Sequence, residues 1–407
     1  MKKITVIALL LCLIFIFIPS CGFFVIPPQT TETDTKDETD ITETETETET
    51  ETGTGAEEDT QEFLPNIPVH SMPYYNTGRR YAWSTLNKEK RQLYYEVLTA
   101  ALCRAEYVVL PDEDTAKYIY ECVFFDTPEL FCLSETPVTE GGKLIFDYVF
   151  TLEEAKSLAA QLDAAYIGFR GSEIKDGMTD YEKLQKLYEY IINNTKYADE
   201  AEEDYKERIF NDAVNRSICA IGPLIDGQAI CIGYARATQY LALRLGIQTF
   251  TVKGSGSDDG DHYYSLVLLD DGYYYVDTTW GDPVDAKRSR DYLTYNYFCI
   301  TTEELLRTHK ILTTVPLPEC TAVKYNYFIY NGLTAQTAEE AAEIVIREYK
   351  NGADEVRVKI MDQKSLDDVY IEFKAVLQRK FAENNIYDIS YSVGRSIGPS
   401  TVFARFN

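Results

Sequence analysis

Histidine is scarce in this chain, three in 407 residues, and the nine cysteines contain no C-x-x-C pair. These absences argue against a structural zinc site, and no metal or other cofactor is expected. No basic patch or stripe occurs and the formal net charge is −27, which excludes nucleic acid and anionic lipid as electrostatic partners. Beyond residue 21 no segment is long and apolar enough to span a bilayer. Gly254-Ser255-Gly256 lacks the lysine and following helix of a phosphate-binding loop. The acids Asp258, Asp259 and Asp261 do not have the spacing of a known calcium loop.

What is present begins with a processing signal over residues 1–21. Lys2 and Lys3 form a basic start, and Ile4 to Ile18 form an apolar run too short for a comfortable membrane span. The run ends in Ile18-Pro19-Ser20-Cys21-Gly22, which resembles a bacterial lipoprotein signal whose cysteine, here Cys21, becomes the lipid anchor. Pro19 leaves cleavage as an ordinary secretory peptide open, and a retained membrane helix is the third reading. The expectation is a lipid-anchored protein on the extracytoplasmic face of the cell membrane, with secretion as the alternative. Residues 22–79 read as a linker. Thr31 to Glu62 holds 14 acidic residues against Lys36 alone, about half of the net charge of the chain, and such a tract is self-repelling and extended. Setting aside Cys12 and Cys21 leaves seven cysteines, and an odd count in an exported protein leaves at least one thiol unpaired.

The folded part divides into three. Residues 80–178 read as mixed α/β, with helices over Leu86–Glu106 and Asp114–Phe124, a strand over Lys143–Phe150, and a helix from the capping box Thr151–Glu154 to about Ile167. No catalytic set converges there, so the region is expected to pack on the next one and line its cleft. Residues 179–320 open with an amphipathic helix over Thr179–Thr195 and carry the informative motifs. Residues 321–407 follow Pro316 and Pro318 as a small α/β module: strand 325–330, helix 337–350, strand 355–360, helix 365–383, and strand-like ends at 386–393 and 401–406. No polar constellation converges in it, and adhesion, substrate presentation and packing support all stay open.

Within the middle region, Gln228-Ala-Ile-Cys231-Ile-Gly-Tyr-Ala235 turns an irregular glycine-containing segment into a helix that stops at Gly246. Cys231, Ala235, Thr238, Leu241, Ala242 and Leu245 share one face of it. A thiol at a helix N-terminus feels the positive end of the macrodipole, which favours thiolate, the form that attacks carbonyl carbon. The competing reading is a small buried cysteine. Two β-rich runs, His262 to Leu269 and Tyr273 to Asp277, surround Asp-Gly and form a hairpin signal. With Asp271-Gly272 as the turn, His262 and Asp277 share a face. That register sets Leu266 opposite Asp277, so contact with His262 needs a bulge or strong coiling. A thiolate needs a base, and the base needs a carboxylate to fix its tautomer; Cys231, His262 and Asp277 supply these in order. Trp280 either shields the His–Asp bond or packs as ordinary core. The oxyanion donors expected are the Cys231 backbone N–H and one upstream group, with Gln228 the candidate. His309 is read as structural, in a helix from Thr302.

The cysteine segment, the histidine strand and Asp277-Thr-Thr-Trp-Gly-Asp-Pro283 together resemble the transglutaminase-like superfamily, relatives of the papain-type thiol fold. Its members show Gly-x-Cys-x-Gly-Tyr-Ala opening a helix, a His-Ala-Trp-Asn strand and an Asp-Pro-Thr-Trp strand. The likeness covers about residues 180–320 and ends in Tyr297-Phe298-Cys299-Ile300. It departs at Ala229 for glycine, at Tyr263-Tyr264-Ser265 for Ala-Trp-Asn, and at Thr278 for proline. The resemblance implies an α+β fold in which a cysteine helix packs on antiparallel strands carrying histidine and aspartate. It implies Cys231 as nucleophile, His262 as base, Asp277 as orienting acid, and peptide or protein amides at the cell surface as substrates. The alternative, motivated by the altered histidine strand and the many tyrosines, is a binding or scaffold protein that keeps the fold without catalysis.

Overall fold

A computed structural model of the chain describes residues 79–257, 260–283 and 293–406. The expected signal, the Cys21 anchor, the linker as far as residue 78, and Asp258 and Asp259 lie outside these described residues.

The centre is a five-stranded antiparallel sheet, in the order Lys310–Ile311, Thr249–Ser255, Asp261–Leu269, Gly272–Val276, Phe298–Ile300. Its strands are covered on both faces, so they read as near-continuous apolar runs. Alternate side chains enter different cores. Phe250, Val252, Leu266 and Tyr275 join Tyr81 and the helices Lys88–Leu102 and Glu113–Asp126. Val267, Leu269, Tyr274 and Val276 join the helix Asp180–Asn194 and Tyr234, Ala237 and Leu241 of the cysteine helix. The whole is an α+β fold, with the cysteine helix packed on an antiparallel sheet.

The cysteine helix runs Cys231–Arg244, and every residue from Cys231 to Ala242 is buried. Its burial is therefore not confined to the one face that periodicity marks. The polar side are covered because they bind the N-terminal layer. Arg236, fully buried, donates to the carbonyls of Phe124 (3.0 Å) and Thr127 (3.2 Å) and stacks on the Phe124 ring. Gln239 donates to Phe125 and Thr249 and accepts from Thr251. The carbonyls of Phe124, Phe125 and Thr127, at the end of the helix Glu113–Asp126, thus find donors in the cysteine helix.

Elsewhere in the N-terminal region, Lys143–Ile145 is the strand, flanked by Tyr107–Val109 and Val138–Glu140, which the sequence does not announce. The helix from Thr151 keeps its capping box but continues to Glu173. Gly168 and Gly171 do not stop it, since neither takes a left-handed conformation and each faces open space. Residues 325–330 are not a strand. Asn326 accepts a hydrogen bond from the Phe328 N–H and caps a short helix, Tyr327–Tyr330, while Tyr325 stacks on Tyr181. The C-terminal module has a four-stranded sheet in the order Thr334–Ala335, Glu355–Ile360, Thr401–Phe406, Tyr391–Ser396, with the helices Ala338–Lys350 and Leu366–Glu383. It buries a core of its own, including Val345, Val358, Phe373, Leu377 and Val402.

Candidate active site

The hairpin sets the geometry. Leu269 pairs with Gly272, which makes Asp270-Asp271 the turn, one residue earlier than Asp271-Gly272. Gly272 opens the returning strand at φ 150°, and a Cβ there would lie 3.1 Å from the Ala322 Cβ, so glycine is needed in the strand and not in the turn. Ser265 consequently pairs with Val276, and the next position along places Tyr264, not Leu266, beside Asp277. The shift keeps the parity and shortens the offset of His262 from Asp277 to one diagonal step, a distance that side chains span. His262 Nε2 lies 2.7 Å from Asp277 Oδ2. A bulge is present, but on the other side of that strand. Tyr275 pairs with Ile300 and Val276 with Phe298, which leaves Cys299 unpaired at φ 56°.

Asp277 is 1% exposed. Its Oδ1 accepts from the backbone N–H groups of Thr279 (2.9 Å) and Trp280 (3.0 Å). Its Oδ2 is shared by His262 and by His309, whose Nε2 is 3.1 Å away. The ionised Asp277 can only accept, so Nε2 of His309 carries the hydrogen between them, and the Thr308 hydroxyl lies 2.8 Å from His309 Nδ1. Burial pushes the Asp277 carboxyl up, but the His262 charge and the hydrogen bonds from both histidines overcome it and hold it well below the usual carboxylate range. Burial likewise opposes the His262 imidazolium; the Asp277 charge and hydrogen bond, with a further contribution from Cys231, raise it to about 10. With Nε2 committed to Asp277, Nδ1 is the nitrogen left for Cys231.

Cys231 stands at the first position of its helix, after Ile230, whose side chain cannot cap. Its thiol interacts with the His262 ring and lies 3.9 Å from the Asp261 carbonyl. Gly233 is fixed by a crossing strand of backbone: a Cβ there would sit 2.1 Å from the Ser217 carbonyl oxygen, which also accepts from the Ile230 N–H. Burial pushes the thiols of Cys122, Cys132, Cys219, Cys299 and Cys320 up, and all seven cysteines of the folded part are free thiols.

Trp280 lies over the histidines, 5.5 Å from the His262 ring and 4.3 Å from the His309 ring, and so covers the His–Asp contact. Gln228 is exposed on a two-residue strand paired in parallel with Lys196–Tyr197. Tyr197, which pairs with Ala229 in that ladder, has its phenol near the Cys231 backbone. Burial, then the negative charges of Cys231 and Glu202, raise the Tyr197 phenol.

Two further residues have no motif of their own. His309 is not in the helix from Thr302, which ends at Leu305, but just before the edge strand Lys310–Ile311. The signal was its rarity: two of only three histidines meet one carboxylate. Glu135 comes from the N-terminal region. It accepts from the hydroxyls of Tyr205 and Tyr263 and pairs with Lys253 at 3.1 Å, which also reaches Asp261 at 3.4 Å. Tyr263 and Tyr264, the departures beside His262, thus have definite tasks, Tyr264 donating to the Lys310 carbonyl at 3.1 Å. Thr278 meets Thr238 of the cysteine helix at 3.1 Å, hydroxyl to hydroxyl.

His262, Asp277 and His309 bring three candidate metal ligands within 4.8 Å. Both imidazole Nε2 atoms are at hydrogen-bond distance from the same carboxylate oxygen, so direct hydrogen bonds account for the cluster. The arrangement suits proton transfer between a thiol and an oriented imidazole.

No family model matches the sequence, and no curated protein does. Among solved structures, the chain is similar to one described as a TGase, at 15% identity and TM-score 0.27, over 50% of this chain. It spans about half of that protein's length, 52%. It is also similar to a candidate cysteine protease from Cytophaga hutchinsonii, at 14% identity and TM-score 0.23, over 29% of this chain and 37% of that one. The α+β fold class rests on the chain's own strand order and on where its sheet and helix hold Cys231, His262 and Asp277.

Proposed function

We propose that the protein is a thiol acyl-transfer enzyme of peptide or protein amides, held by a lipid on Cys21 at the extracytoplasmic face of the cell membrane. The observation that carries the reaction is one imidazole, His262, tied to Asp277 at 2.7 Å and in contact with the only thiol at a helix N-terminus among the described residues. Cys231 sulfur attacks the amide carbonyl carbon, and its proton resides on His262. The Cys231 backbone N–H, which lies beside the Tyr197 phenol, is the donor we assign to the oxyanion. The C–N bond breaks as His262 gives its proton to the leaving amine, leaving a thioester. Water or a second amine then attacks that thioester, the S–C bond breaks, and the proton returns by way of His262. Hydrolysis and amine transfer share every step as far as the thioester.

The test is mass spectrometry of the protein mixed with peptide amides and a fluorescent primary amine, then quenched in acid. The expected result is an acyl adduct mapped to Cys231 and either shortened peptides or amine conjugates. Cys231→Ala abolishes both. Turnover that persists in that variant overturns the assignment.

A further inference from the structure

A cleft of about 440 Å³ opens between the central sheet region and the C-terminal module. Trp280, Thr294 and Tyr297 line it on one side, Arg357, Ser396 and Pro399 on the other. That volume falls within the range of small-ligand sites, about 300–1,000 Å³. The cleft adjoins residues that flank the reactive groups. Tyr197, near the Cys231 backbone, and Trp280, over His262, both form part of its wall. We propose that the cleft seats the substrate segment next to the scissile amide, that its occupant is an extended peptide bearing an apolar side chain, and that the C-terminal module supplies one wall of this site. The inference rests on the acyl-transfer reading and adds to it the substrate class and the role of the module.

The chemistry of the walls selects that occupant. Trp280, Tyr297 and Pro399 offer apolar faces. The hydroxyls of Thr279 and Thr294 are buried without a partner among the described residues, and Thr294 is 4% exposed. Turned toward the cleft, either hydroxyl can bond a peptide N–H or C=O group. The charged side chains are already engaged. The Arg357 guanidinium lies 2.8 Å from Glu355 and stacks over Phe403, and Asp282 accepts from the Tyr234 hydroxyl at 2.7 Å. Both charged groups already have local partners, with Glu355 serving Arg405 as well, whereas an apolar side chain meets three apolar faces.

The wall from the module is held in place. The turn between its last two strands rests on the residues that precede His309: a Cβ at Gly398 would lie 2.3 Å from Thr308 Cγ2. Arg307 reaches the Gly398 carbonyl at 3.5 Å, and the buried Lys359 donates to the Pro399 carbonyl at 3.2 Å.

Thiol labelling of the full chain tests this, with peptide mapping to separate Cys231 from the half-buried Cys103 and Cys132. Three probes are compared: iodoacetamide, and vinyl sulfones on extended peptides whose flanking residue is either leucine or glutamate. Cys231 is expected to react with the leucine peptide about tenfold or more faster than with the glutamate peptide. Ser396→Trp, which fills the cleft from the module side, is expected to remove that preference, while iodoacetamide, too small to use the cleft, still alkylates Cys231. Ser396→Phe carries the test if the tryptophan variant fails to fold, as judged by thermal melting. Equal rates for the two peptides, or a preference untouched by a folded Ser396 variant, overturn the proposal and leave the acyl-transfer reading standing. A wild-type Cys231 that iodoacetamide cannot label overturns the acyl-transfer reading itself.

Discussion

Asp277 accepts four hydrogen bonds, two from backbone amides and two from imidazoles, which is what a carboxylate 1% exposed requires. Its two oxygens do different work. Oδ1 is fixed by the chain immediately after it, and Oδ2 fixes His262 with His309 as a second donor. The His262 imidazolium is stabilised by Asp277 and by Cys231, so removing the sulfur should lower its pKa. In Cys231→Ala, NMR titration of the His262 ring is expected to show a midpoint below the wild-type value of about 10. An unmoved midpoint would mean that the thiol and the ring do not interact. The linkage to stability has a definite sign. The raised His262 contributes stability that is complete below its ordinary pKa near 6.5 and is lost as pH rises through about 10. The depressed Asp277 contributes stability above its ordinary value near 3.9, lost only as pH falls into strong acid.

At the scale of elements, the hairpin and the cysteine helix bring the site together, and both were partly legible in the sequence. The alternation of β-rich runs around Asp-Gly marked the hairpin, and parity put His262 and Asp277 on one face. The register was not legible, because nothing local shows that Gly272 lies in the strand, against Ala322 fifty residues away in the chain. The helix was marked by its start and its Gly246 stop, but not its all-round burial, which is due to carbonyls from the N-terminal layer bonding Arg236 and Gln239. His309 and Tyr197 escaped for the same reason: each reaches the site through tertiary packing, with no local pattern to show it. Gly233, by contrast, is explained fully by its neighbour. Gly233→Ala puts a methyl 2.1 Å from the Ser217 carbonyl, a rigid backbone atom, and is expected to destabilise the fold by about 3 kcal/mol. Urea unfolding measures this, and because the strain lies two residues from Cys231, iodoacetamide labelling should slow as well. A variant as stable as wild type would show that Ser217 does not press on this turn.

At the scale of the whole molecule, the N-terminal region and the central sheet share their cores, whereas the C-terminal module has its own. The central joint is Lys359 Nζ to Glu304 Oε1 at 2.7 Å, with side chains 6% and 14% exposed. Thr401 and Asn296 add a contact at 3.5 Å. A buried ion pair is weak evidence for net stability, but removing one partner strands the other charge, at a cost of about 3–5 kcal/mol. Glu304→Ala leaves Lys359 in that condition at the joint, so the penalty should fall on docking more than on either core. Hydrogen exchange of the full chain is then expected to rise over residues 334–406 while the central sheet stays protected, as separate cooperative units allow. Iodoacetamide labelling of Cys231 should persist, because the thiol and imidazole belong to the sheet and its helix. Glu304→Met with Lys359→Met replaces the pair by apolar groups of similar length and should restore the slow exchange. If the single and double variants both exchange as wild type, the pair does not hold the module. If the sheet and module lose protection together, they form one cooperative unit, and the module is a wall of the cleft that cannot open independently of the fold around Cys231.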